Sequence, residues 1–76
     1  MNKQTRKEVA ELAKRLNWLL TELDIIISLE NDKYDNLPEN LLQADRAVAM
    51  GETIDRFQDA YNMLENAVHL LENPED

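Results

Sequence analysis

The sequence predicts an all-α fold: an antiparallel helical hairpin that assembles into a four-helix bundle or a larger homo-oligomer. Three observations carry that expectation: two long segments with apolar residues at alternating spacings of three and four, a polar proline-containing stretch between them, and an apolar stripe too wide for one seam. The chain has 76 residues, 43% hydrophobic and 32% charged, with one glycine, two prolines and no cysteine. A chain of this length holds one domain, residues 1–76, whose isolated core is marginal. Low glycine, low proline and 5% aromatic content exclude a barrel or a sandwich. Without cysteine, neither a disulfide nor a cysteine-bound zinc can staple it.

The first helix is expected over about 5–32. Val9, Leu12, Leu16, Leu19, Leu23 and Ile26 form its main stripe, which Ala13, Leu20 and Ile27 widen on one side. Thr5 followed by Glu8 reads as a capping box at its start. The linker is expected over about 33–44. There Asn36 can end the helix in the left-handed conformation, Pro38 can open a turn, Leu37 and Leu41 can plug the end, and Asp45 can cap the next helix. The second helix, about 45–72, carries Ala47, Met50, Ile54, Phe57, Tyr61, Leu64, Val68 and Leu71 on one face, and Asn73-Pro74 ends it. Gly51 lies on the flank of that face. Because glycine costs about 1 kcal/mol relative to alanine inside a helix, close approach by a neighbouring side chain or helix is its expected reason.

Two helices touching along one seam leave half of each stripe in water, which predicts self-association as a dimer or higher. A second apolar set, Trp18, Ile25 and Leu29 on the first helix with Met63 and Leu70 on the second, lies opposite the main stripes and reads as an interface beyond that seam. In a hairpin folded near residue 40, level residues have numbers adding to roughly 80, which brings Trp18 beside Met63.

Charge is polarised along the chain. Residues 1–15 hold Lys3, Arg6, Lys7, Lys14 and Arg15 against Glu8 and Glu11, whereas the remainder has three basic and fourteen acidic residues, and the whole chain carries −8. An acidic body repels nucleic acid, so no nucleic-acid partner is expected. The hairpin should bring the basic end, Lys3, Arg6 and Lys7, beside Glu72, Glu75 and Asp76, so that unfavourable interactions with the two helix dipoles offset one another. The same end has the chemistry to hold a phosphate.

Catalytic material is sparse. Ser28 is the one serine and His69 the one histidine, so neither a serine nor a cysteine nucleophile with a histidine base can be assembled. Glu65, His69 and Glu72 are best read as a solvated helix face. Glu8-x-x-Glu11 and Glu52-x-x-Asp55 resemble the magnesium-binding pairs of all-α nucleotide pyrophosphatases, but within one chain they are expected to lie about 26 Å apart. No catalytic residue, metal site or cofactor is therefore assigned. With no apolar run near 18 residues and no charged-then-apolar leader, neither a membrane span nor a signal peptide is expected, and the chain is assigned to the cytoplasm.

The segment Tyr34-Asp35-Asn36-Leu37-Pro38-Glu39-Asn40-Leu41, followed by Asp45-Arg46 and Gly51-Glu52-Thr53-Ile54-Asp55, resembles a family of small acidic two-helix proteins of Gram-positive phages and mobile elements. Their shared pattern is an aromatic-Asp-Asn-(Leu or Met)-Pro-Glu-Asn-Leu linker between heptad helices; here Leu42 and Ala44 replace its glutamine and serine. The resemblance spans about residues 30–68 and implies a helical hairpin at work in a bacterial host cytoplasm, with no activity attached. Taken with the residues, it leads to the expectation of a non-enzymatic, self-associating phage or prophage accessory protein that binds and inhibits a host defence protein. The alternatives are a sponge for a small nucleotide-like signalling molecule and a magnesium-dependent nucleotide pyrophosphohydrolase assembled between subunits. Tyr34, Asn36, Asn40 and Arg46 at the linker end are the candidate binding residues.

Overall fold

A computed structural model describes residues 1–41 and 44–73 and shows two long helices, with no strand among the described residues. Helix α1 spans Lys3–Asp35, a short 3₁₀ turn spans Glu39–Leu41, and helix α2 spans Asp45–Glu72. The helices pack against each other as a rod of 59 × 16 × 13 Å. Its radius of gyration is 17.5 Å, whereas a compact domain of this length would have one of about 11 Å. Two helices side by side with no third layer account for that shape.

Helix α1 runs past its expected bounds at both ends, whereas α2 spans the expected residues, and the helix ends are made differently from the expected ones. Asn2, not Thr5, caps α1: its side-chain oxygen accepts from the Thr5 backbone N–H at 2.8 Å. The capping-box reading therefore fails, because the helix has already begun at Lys3 and Thr5 sits within its first turn. At the other end, α1 continues through Tyr34 and Asp35, which shortens the connection to residues 36–44. Asn36 ends the helix at φ −91°, outside the left-handed region, with its backbone N–H and its side-chain amide both directed at the Asp32 carbonyl, at 3.1 and 2.8 Å. The side chain satisfies an orphan carbonyl, so no left-handed cap is required. Pro38 opens a turn as expected, its carbonyl accepting from Leu41 N–H at 2.8 Å. Ala44 occupies the N-cap of α2 without a side-chain bond, and Asp45 is the first helical residue rather than the cap. Asn73 closes α2, its amide donating to the His69 carbonyl at 3.1 Å, while Pro74 lies outside the described residues.

The seam is displaced from the expected one on α1. Ala13, Leu20 and Ile27 are buried, with Val9, Leu16, Leu23 and Tyr34 half-buried, whereas Leu12, Leu19 and Ile26 stay about half exposed. Helix α2 meets them with buried Ala47, Ile54 and Val68 and half-buried Met50, Phe57, Tyr61, Leu64 and Leu71, the predicted stripe. The α1 stripe is wider than one partner helix can cover, and contact falls on the side where small Ala13 lets the partner approach.

Two contacts set the register. Asn17 Nδ2 donates to Glu72 Oε1 at 2.7 Å, and the Tyr34 ring lies beside Gly51. Level residues therefore have numbers adding to about 85–89 rather than 80, because α1 runs on to Asp35 and moves the bend toward the C-terminus. Trp18 is thus nearer the level of Leu70 than of Met63, and the two side chains point away from the hairpin along opposite edges. By that register Lys3 and Lys7 lie about three to four turns beyond the level of Glu72 and do not reach it, whereas Arg6 borders the same groove as Glu72. Glu75 and Asp76 lie outside the described residues.

Candidate functional site

The bonding of Asn17 to Glu72 also assigns the faces of the hairpin. Around α1, Asn17 and Asp24 stand about 40–60° from the buried line on one side, while Leu12, Leu19 and Ile26 stand about 80–120° from it on the other. Around α2, Gln58, Glu65 and Glu72 occupy the side that meets Asn17, whereas Phe57, Leu64 and Leu71 occupy the opposite one. One broad face is therefore polar and the other apolar. The apolar face carries Leu12, Leu19 at 52% exposure and Ile26 across from half-buried Phe57 and Leu64. This face was missed as a separate feature, although the series 9, 13, 16, 20, 23, 27, 30, 34 obeys the same alternating spacing and marks the covered seam.

The second apolar set lies on the edges. Trp18 and Met63 are 69% and 73% exposed, and Ile25, Leu29 and Leu70 are also exposed. Trp18, Ile25 and Leu29 share the outer edge of α1; Met63 and Leu70 share the outer edge of α2. A hollow of about 330 Å³ beside the indole is lined by Lys14, Arg15, Trp18 and Leu19.

The four linker residues do not converge. Tyr34 belongs to α1, half-buried, with its Cε2 3.4 Å from where a Gly51 Cβ would stand. Asn36 is occupied as the cap of α1. Asn40 is exposed on the 3₁₀ turn. Arg46, exposed in the first turn of α2, borders a hollow of about 250 Å³ with Leu37, Leu41, Ala44, Ala47 and Met50. That lining is apolar apart from the guanidinium, and Tyr34, Asn36 and Asn40 are not part of it.

At the other end, Arg6 and Lys14 border a groove of about 510 Å³ with Val9, Ala10, Ala13, Asn17, Leu71 and Glu72. Lys3 and Lys7 are exposed outside it. Glu8, Glu11, Glu52 and Asp55 are all exposed, and the revised register places the two pairs more than 30 Å apart within one chain, about 36 Å by helical rise. Among the described residues, no three of the histidine and carboxylate side chains gather where they could hold a metal ion.

Charge divides the rod lengthwise. The first half of α1 carries Lys3, Arg6, Lys7, Lys14 and Arg15 against Glu8 and Glu11; the second half carries Lys33 against Glu22, Asp24, Glu30, Asp32 and Asp35. The 3₁₀ turn and first half of α2 add Arg46 and Arg56 against Glu39, Asp45, Glu52, Asp55 and Asp59. The closed end of the hairpin is strongly anionic.

No family model, curated protein or solved structure matches the chain. Among the described residues, no helix is long and apolar enough to cross a membrane.

Proposed function

We propose that this chain is a non-enzymatic, self-associating accessory protein of a phage or prophage that acts in the bacterial host cytoplasm by binding and inhibiting a host defence protein. The observation that carries the reading is the surface left outside the hairpin seam, which includes the exposed side chains of Leu12, Trp18, Leu19, Ile26 and Met63. The chain exposes 6218 Å², whereas a folded monomer of 8.9 kDa exposes about 4,800 Å². The broad face suits a second copy in a four-helix bundle or larger homo-oligomer, and the Trp18 edge suits a further protein, since exposed tryptophan with aliphatic neighbours is the composition of an interface anchor. The linker resemblance supports the origin.

A tagged chain incubated with host lysate is expected to retain a host protein that Trp18→Ala fails to retain, while the variant keeps its own mass. Equal retention by both chains would remove the edge from the account.

The groove bordered by Arg6 and Lys14 favours a second reading, a sponge for a nucleotide-like molecule. Its volume is that of a small-molecule site, and its cations suit an anion, although Glu72 on its wall opposes one. Small molecules released from the purified chain by heat, compared with those from Lys14→Glu, distinguish this reading.

A further inference from the structure

We infer that the apolar face bearing Leu12, Leu19 and Ile26 is closed by a second copy of this chain lying antiparallel, α1 on α1 and α2 on α2, with the two hairpin bends at opposite ends of the bundle. The inference rests on the self-association proposed above and adds the occupant's face and direction.

Area argues for a second copy. The surface exceeds that of a monomer of this mass by about 1,400 Å², and a standard interface takes about 800 Å² from each partner. A hairpin docking face to face along the rod matches that requirement. It also supplies the missing layer to a 13 Å thick body, since helices pack about 8–10 Å apart.

Charge decides direction. Two-fold pairing of these faces allows two arrangements. With the hairpins parallel, the closed ends meet, each with three basic and ten acidic residues over 18–60. With the hairpins antiparallel, the first half of each α1, five basic against two acidic, lies along the second half of its partner, one basic against five acidic. The first arrangement concentrates like charge; the second pairs opposite charge twice by symmetry. The apolar ladder fits this arrangement with Leu19 on the two-fold axis and Leu12 level with Ile26 of the second copy; the register of the hairpin then carries the axis across α2 near Val68, so that α2 meets α2 over about residues 64–72.

The absence of cysteine permits site-specific labelling. Asn40 is exposed at the bend and away from the face, so Asn40→Cys carries a spin label without disturbing the contact. Electron-electron distance measurement should give a separation approaching the 59 Å length of the rod. A separation of about 20 Å, the width of a four-helix bundle, would establish parallel hairpins and overturn the proposal. Cross-linking with a short bis-maleimide locates the face independently: Leu19→Cys should couple to itself, and Leu12→Cys should couple to Ile26→Cys in a mixture but not to itself. If all three couple equally to themselves, or none couples in any combination, the antiparallel contact is wrong even when the mass is that of a dimer. A single-chain mass by light scattering would instead remove self-association itself.

Discussion

The two broad faces of the hairpin share the same pair of helices and differ in how finished they are. On the polar face, Asn17 reaches Glu72 across the seam, and Asp24, Gln58 and Glu65 are solvated. On the apolar face, half-exposed Leu12, Leu19 and Ile26 stand beside half-buried Phe57 and Leu64. A hairpin that ended its packing at one seam would be polar on both faces. The asymmetry separates three classes of residue: those in the seam, those on the apolar face and those on the edges.

Substitution within the seam breaks both faces at once and has the largest effect. Leu20→Ala, at a buried position, is expected to cost about 2–5 kcal/mol and, in a small bundle, to abolish helicity measured by circular dichroism. Substitution on one face isolates the comparison. Leu19→Glu should reduce the mass by light scattering to that of one chain, with loss of helicity following dissociation, whereas Gln58→Glu on the polar face should leave mass and melting temperature unchanged.

The fold was legible where periodicity and turn chemistry agreed. The α2 stripe from Ala47 to Leu71 emerged as read, and Pro38 opened the turn it was expected to open. The α1 seam was harder to read because two overlapping stripes obey the same spacing; leucines fill both, and only the partner helix selects Ala13, Leu20 and Ile27. Helix ends were read less well, since several polar residues near each end can serve as caps. Asn2 prevailed over Thr5, and Asn36 satisfied a carbonyl with its side chain instead of turning left-handed. Of the candidate site, the edge residues Trp18, Ile25, Leu29, Met63 and Leu70 are exposed as their helical positions implied, whereas Tyr34 was read as linker and is part of α1. Its aromatic ring follows the seam spacing from Ile27, a signal that the proline nearby obscured.

The smaller effects sharpen the same contrast. Asn2→Ala should cost about 1 kcal/mol through the lost cap, measured by thermal melting, while leaving assembly intact once folded. For Gly51→Ala, the new methyl meets the Tyr34 ring at ordinary contact distance, so the gain in helix propensity should raise stability by up to about 1 kcal/mol. The glycine therefore leaves room for a ring that an alanine also accommodates. Trp18→Ala, on an edge outside both seam and face, should change stability by no more than about 0.5 kcal/mol and keep helicity and dimer mass, its effect confined to a further partner.

The most direct measurement of the central claim is the mass of the unaltered chain by light scattering at micromolar concentration, taken together with its thermal melt. Association through the apolar face predicts at least twice the 8.9 kDa chain mass and a melting temperature that rises with concentration. A single-chain mass with a cooperative, concentration-independent melt would contradict it, and would show that one hairpin seam suffices to hold this fold.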